Sequence, residues 1–311
     1  MSIVVPAKTC FTAPFAPIGL KQLEATAGML ERIDNKYVIG QNTLRLAIPQ
    51  LADHFDILDI DGRRNFTYDT CYFDDPGCRS YFDHHQSRCR RIKVRMRKYV
   101  EAGLCFVEIK LKDKRGMTVK KRLKTDPRKF GVLDDDAEAF IRETYSAHYK
   151  REFPLAIERN LDMRYRRMTL VGKNGGERMT IDNGMRFFMS ESEHAVDPSL
   201  FIIEAKSAKG NGAADKILRR LHQHPTKHVS KYCTGVATMR EGTKHNNFRR
   251  ALKKLGLLEQ IGVKEQSHAA KPAKIEARWH ARPAFIARAI YFGDKVLILD
   301  EPTSALGGHQ A

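Results

Sequence analysis

Arg91, Lys93, Arg95 and Arg97 fall on alternate positions of the run 91–100, and Tyr99 continues the series. Ile92, Val94, Met96 and Val100 hold the other parity. A strand sends alternate side chains to opposite faces, so this run reads as a strand with one cationic and one apolar face. Four like charges on one face repel, and a polyanion set against them removes the conflict. Phosphate chemistry supplies such a partner. Arg and Lys neutralise charge on a transferring phosphoryl group, while a carboxylate holds the divalent metal that bridges phosphate oxygens. Catalysis of this kind is mostly positioning and electrostatics.

Lys36, Lys93, Arg95, Arg97, Lys110, Arg122, Arg167, Arg178 and Lys206 are the candidate cations, and Glu108, Asp182 and Glu204 the candidate carboxylates. Taken singly, each cation also reads as a solvated charge. Glu108 with Lys110 reads equally as an ion pair, and Asp182 as the residue leading into a turn at Asn183-Gly184. His84-His85 beside Asp83 reads as a loop or strand end, because neighbours on a strand point opposite ways and do not share a metal.

Composition agrees with a phosphate-rich partner. The 311 residues include 55 Lys+Arg against 37 Asp+Glu, a formal net charge of +18. That balance favours nucleic acid, nucleotides, polyphosphate or an anionic membrane surface. A hydrophobic content of 42% supports a core and excludes a disordered basic tail. A nucleic-acid binder would interleave its basic residues with stacking aromatics. The single Trp lies in the tail, so no specific nucleic acid is expected. Cys10, Cys71, Cys78, Cys89, Cys105 and Cys233 form no CxxC pair and read as reduced thiols. No apolar run approaches the ~18–20 residues that cross a bilayer, and residues 1–20 lack a signal-peptide layout. A cytoplasmic location is expected.

The elements that must position these residues are mostly strands. Alternation marks strands at residues 91–100, 105–112, 117–124, 178–182 and 201–206, and β-prone runs add 33–40, 68–73 and 165–171, eight in all. Lys114-Arg115-Gly116, Lys173-Asn174-Gly175-Gly176 and Asn183-Gly184 read as turns. Helices are expected at residues 18–31, 43–57, 134–149 and 213–222. Adjacent strands with few helices between them point to an antiparallel α+β fold. Eight strands can close into a barrel, and charged inner faces imply a lumen holding water or ligand.

The order of several short motifs makes this reading specific. Arg32-Ile33-Asp34-Asn35-Lys36-Tyr37, Tyr72-Phe73-Asp74, Tyr81-Phe82-Asp83-His84-His85, residues 93–99 and Val107-Glu108-Ile109-Lys110 follow one another. Tyr165-Arg166-Arg167, Arg178-Met179-Thr180-Ile181-Asp182, Ile203-Glu204-Ala205-Lys206 and Ser230-Lys231-Tyr232 complete the series. Over residues 20–255 the chain resembles the vacuolar transporter chaperone (VTC) domain, the polyphosphate polymerase branch of the triphosphate tunnel metalloenzymes. The resemblance implies an eight-stranded antiparallel β-barrel with flanking helices, forming a tunnel. It also implies an enzyme that moves the terminal phosphoryl group of ATP to inorganic polyphosphate, assisted by Mn2+ or Mg2+. By the same resemblance Lys36, Arg95, Arg97, Lys110, Arg167 and Arg178 contact phosphate, and Glu204 binds the metal. Ser230 and Lys231 close over the phosphates from a C-terminal helix, with Lys93, Arg122 and Lys206 as further substrate contacts. One position departs from the pattern: His228 stands where better-known members have a lysine, which weakens phosphate binding at that end. The family's regulatory helical domain and membrane helices are not seen, which implies a stand-alone soluble enzyme.

Two other readings compete. A hydrolase of triphosphates would use the same cavity with water as acceptor, and a non-catalytic module would only bind polyphosphate or RNA. Residues 1–19 are expected to form a leader and residues 20–262 the tunnel domain. Residues 263–311 should be a linker and an extra segment. Within that segment, Lys295-Val296-Leu297-Ile298-Leu299-Asp300-Glu301-Pro302 resembles the Walker B strand of an ABC-transporter ATPase. No GxxxxGK[ST] phosphate loop accompanies it, and a lone strand has no parallel sheet to bury it, so no ATPase activity is expected there.

Overall fold

The computed structural model describes residues 11–26, 33–113, 118–261, 289–292 and 295–298. The chain divides into two units, residues 1–265 and 266–311. In the first unit the strands are β1 (Pro17–Ile18), β2 (Ile33–Gly40), β3 (Phe55–Leu58), β4 (Phe66–Asp74), β5 (Arg91–Tyr99) and β6 (Leu104–Lys112). They continue with β7 (Thr118–Thr125), β8 (Glu158–Gly172), β9 (Glu177–Met189), β10 (Ser192–Ala195) and β11 (Leu200–Ser207). The helices are α1 (Leu20–Thr26), α2 (Gln41–His54), α3 (Arg79–His85), α4 (Asp135–Tyr149), α5 (Ala213–Arg220), α6 (Lys231–Met239) and α7 (Arg249–Lys254). No described helix is long and apolar enough to cross a membrane.

The eight long strands run in the order β2-β11-β9-β8-β4-β5-β6-β7, all antiparallel. β10 extends β9, while β1 pairs parallel with β3 beside β8. The expected closed barrel is not formed: among the described residues β2 and β7 end the ladder and do not pair with each other. The charge of β7 gives a reason. Lys120, Lys121, Arg122 and Lys124 are exposed on both of its faces, and cationic edges resist further pairing.

Alternation along the strands sorts the core into an outer and an inner part. On the outer face Tyr37, Ile39, Met179, Ile181, Phe201 and Ile203 pack against Leu44, Ala47, Ile48 and Leu51 of α2 and Ile217 and Leu218 of α5. Ile92, Val94, Met96, Val107, Ile109 and Leu111 pack in the same way beneath Ala137, Ile141 and Tyr145 of α4. On the inner face Tyr72, Leu161, Met163, Tyr165 and Phe187 meet Tyr232, Cys233, Val236 and Ala237 of α6. The close approach of α6 needs Gly235, where a Cβ would lie 2.5 Å from Leu161 Cδ2 and 2.6 Å from Phe187 Cδ1.

Several expected boundaries move. The helix expected through Ile57 ends at His54, and Phe55–Leu58 becomes β3 because pairing with β8 buries Phe55 and Ile57. The turn expected at Asn183-Gly184 lies inside β9, where the β8 register shifts between Arg164 and Arg166 and Gly184 takes φ 59°. His84 and His85 close the last turn of α3 rather than a loop or strand end. In the segment assigned to the leader, Phe15 is buried and Phe11 sets its ring edge against Phe201. Residues 114–116 of the expected Lys-Arg-Gly turn lie outside the described residues.

In the second unit Ala289–Phe292 (β12) and Lys295–Ile298 (β13) pair as an antiparallel hairpin. The run read as a Walker B strand therefore has a hairpin partner in place of a parallel sheet. Asp300 and Glu301 lie outside the described residues.

Candidate active site

Arg91, Lys93, Arg95 and Arg97 of β5 share the inner-face parity, while Lys98 falls on the other. Arg95 binds Glu108 of β6 through Nε and Nη2, both 2.6 Å from Oε2. Lys120 of β7 reaches Glu108 Oε1 at 2.5 Å, and Arg97 Nη1 lies 4.0 Å from Oε2. Burial alone would raise the Glu108 carboxyl, but Arg95, Arg97 and Lys120 outweigh it and hold the group well below its ordinary range. Lys120 lies in the strand expected at residues 117–124, and its role as a Glu108 partner is set by the β6–β7 pairing. Arg122 caps this side with its guanidinium 4.9 Å from the Phe106 ring centroid.

A second buried carboxylate organises the facing wall. Asp182 of β9 takes two bonds from Arg167 of β8, Nε at 2.6 Å and Nη2 at 2.8 Å, and one from Lys231 of α6 at 2.5 Å. Asp182 is thus a buried anchor, not a turn residue. Desolvation opposes its charge, but Arg167 and Lys231 prevail and keep its carboxyl low. Between the two carboxylate clusters lies an aromatic wall. Tyr68 and Tyr165 stack with centroids 5.3 Å apart, and Arg97, Arg167 and Lys231 all lie within 6.0 Å of the Tyr165 ring centre. Cation–π contacts of this kind hold guanidinium planes in fixed orientations.

Glu204 of β11 anchors a third cluster. It pairs with Lys206 Nζ and lies 3.8 Å from Lys36 Nζ of β2, while Lys206 also holds Asp34 at 2.8 Å. Desolvation opposes the charge of Glu204, yet Lys36, Lys206 and Lys231 keep it well below its ordinary range. Arg178 stands opposite Lys206 in the β9–β11 ladder. Lys36 is placed from outside the sheet: its neighbours Asn35 and Tyr37 both donate to buried Asp215 of α5, at 2.8 and 2.6 Å. Asp215 was not singled out in the sequence. A carboxylate outside the motif reveals its partners only through the fold.

Lys93 and Lys110 differ from the rest. Lys93 Nζ donates to Ser230 Oγ at 2.8 Å, and Ser230 caps α6 by accepting from the Cys233 amide at 3.3 Å. Lys110 makes no ion pair among the described residues. Desolvation, then Lys36 and Lys93, lower its ammonium to about 8. α6 joins the two halves of the sheet across this gap, Ser230 accepting from Lys93 of β5 and Lys231 donating to Asp182 of β9. His84 faces Lys93, Arg91, His228 and Lys110, and desolvation together with these groups lowers its imidazole to about 2. His228 adopts φ 61° two residues before Ser230, its ring 6.5 Å from Phe248.

The candidate residues therefore gather on one concave face, in three carboxylate-centred clusters and one lysine-rich gap. Such a surface can set several point charges and guanidinium forks against a polyanion.

Comparison with known proteins bears on the family of the chain. No curated protein matches the chain. Among solved structures, the PH1819 protein from Pyrococcus horikoshii OT3 matches at 13% identity and a TM-score of 0.37, over 65% of this chain and 96% of that one. The HpAC1 protein from Hippeastrum, described as having a dominant triphosphatase activity, matches at 14% and 0.41, over 65% and 94%. The family model described as the VTC domain matches residues 31–240, from the strand bearing Lys36 to the end of the helix bearing Lys231, and the chain belongs to that family.

Proposed function

We propose that this VTC domain protein transfers the terminal phosphoryl group of ATP to a growing inorganic polyphosphate chain. The observation that carries the reading is the gap among Lys36, Lys93 and Lys110. There Lys93 and Lys110 stand opposite each other in the β5–β6 ladder, Lys93 is held by a hydroxyl in place of a carboxylate, and Lys110 has its ammonium lowered by burial and then by Lys36 and Lys93. Cations held together at such cost favour an anion between them. In the transfer, an oxygen of the chain's terminal phosphate attacks the γ-phosphorus, the bond to the bridging oxygen breaks, and ADP leaves. Arg95, Arg97, Arg167 and Arg178 hold the equatorial and leaving oxygens and offset their developing charge. Ser230 and Lys231, at the start of α6, cover the phosphates, with Lys206 and Arg122 as further contacts.

A divalent ion would be held by Glu204 with Asp34. Both carboxylates already share the Lys206 ammonium, so a cation occupies their midpoint in the ligand-free protein. No three His, Cys, Asp or Glu side chains gather among the described residues. Mn2+ or Mg2+ would therefore take one or two carboxylates and complete its shell with phosphate oxygens and water. Bound there, the ion would neutralise charge on the phosphate oxygens.

The test is incubation of the purified protein with ATP and Mn2+, resolved on a gel that separates polyphosphate by length. Long polymer is expected from the wild type and not from Lys36→Ala or Glu204→Ala. Phosphate release from tripolyphosphate without polymer would assign hydrolysis to the same cage. Tight polyphosphate binding with neither product would leave a binding module.

A further inference from the structure

Thr180 lies on β9 between Arg178 and Asp182, and its neighbours Met179 and Ile181 are buried in the outer core. Strand parity therefore turns Thr180 to the inner face with the charged residues. Its register partners are Glu204 on β11 and Thr169 on β8. Directly opposed residues of an antiparallel pair bring their Cβ atoms within about 5 Å. Thr180 is only 3% exposed, and its hydroxyl is buried with no hydrogen-bond partner.

A buried hydroxyl without a partner is destabilising, and native interiors hold few of them. The nearby carboxylates cannot be drawn to it cheaply: Glu204 is held by Lys206 and Lys36, and Asp182 by Arg167 and Lys231. A valine would fill the same volume without the polar cost. The hydroxyl gains a role if a ligand brings an acceptor to it.

We propose that Thr180 is a substrate contact, its hydroxyl donating to a phosphoryl oxygen of a chain seated between Lys36 and Glu204. The proposal rests on the polyphosphate reading above and assigns one neutral donor within that site. Replacing the hydroxyl by a methyl should then move stability and affinity in opposite directions. A threonine with a purely structural role moves them together or moves only stability.

Inorganic tripolyphosphate binding by titration calorimetry, with thermal unfolding of the ligand-free protein, tests this in wild type, Thr180→Val and Thr180→Ser. Thr180→Val should unfold at or above the wild-type temperature yet bind tripolyphosphate about tenfold more weakly, the loss of one hydrogen bond to a charged acceptor. Thr180→Ser should bind within about twofold of wild type, since it keeps the donor. Wild-type affinity in Thr180→Val, equal weakening in both variants, or earlier unfolding of Thr180→Val by several degrees would each overturn the assignment. A wild type that does not bind tripolyphosphate would instead overturn the functional reading on which it rests.

Discussion

Asp182 offers the sharpest test of how the groove is built. Its side chain is fully buried and holds Arg167 by two bonds and Lys231 by a third. Replacing it with asparagine keeps the shape but leaves two cations facing each other without an anion. Breaking a buried ion pair by removing one partner costs about 3–5 kcal/mol. At roughly 2–4 °C per kcal/mol for a domain of this size, ligand-free Asp182→Asn should melt on the order of 10 °C below wild type. Substrate should reverse part of that loss. On the proposed function a phosphate would compete with Asp182 for the two cations in the wild type, and in the variant it would not. One charge pair at an effective dielectric near 20 is worth about 4 kcal/mol, and recovering a third of that is about tenfold in affinity. The assay is thermal unfolding with and without tripolyphosphate, together with titration calorimetry at neutral pH. The variant should bind at least as tightly as wild type and show a larger ligand-induced rise in melting temperature. Weaker binding with a smaller rise would refute the reasoning, because Asp182 would then orient the two cations for the ligand and not compete with it.

Two further predictions concern pH and packing. The Lys110 ammonium is lowered to about 8 from its ordinary 10.5, so tripolyphosphate affinity should fall as pH rises through about 8, and Lys110→Arg should move that fall to higher pH. The sign for stability is opposite. Between those two values the unfolded chain holds the proton that the folded one has shed, so ligand-free stability contributed by this group should rise with pH, as denaturant titrations at pH 8 and 10 would read. Gly235→Ala places a methyl within 2.6 Å of Leu161 and Phe187, which should cost about 1–3 kcal/mol by overpacking. Because α6 carries Ser230 and Lys231, the same change should weaken tripolyphosphate binding; unchanged affinity in a calorimetric titration would show that the helix can move without disturbing the groove.

Much of the site could be read from the chain itself because strand parity is a local property. Arg91, Lys93, Arg95 and Arg97 share a face whatever the strand pairs with, and the same holds for Glu204 with Lys206 and Arg178 with Asp182. Five of the eight long strands were legible by alternation and three by β-prone composition, although β8 runs to residues 158–172 where the β-prone run covered only its second half. Its first half hides behind Arg159, Asn160 and Asp162, polar residues that leave Leu161 and Met163 to be recognised only once α6 packs on them. The bulge at Gly184 was hidden because Asn-Gly is turn chemistry, and only a partner strand on each side distinguishes a bulge from a turn.

Composition and periodicity determined that this protein is basic and sheet-rich, with cations gathered on single strand faces. They could not say which carboxylate meets which cation, since that depends on residues 15 to 172 positions apart brought together by register: Arg167 with Asp182, Lys231 with Asp182, Lys206 with Asp34. Nor could they say that the ladder stays open between β2 and β7, or that Asp215 braces the strand carrying Lys36 from the far side of the sheet. A face is fixed by the alternation of neighbouring residues, whereas a partner is fixed by the packing of the whole chain. The sequence therefore determined the chemistry of the groove, and the tertiary structure decided which of its charges are already paired and which stand ready for a ligand.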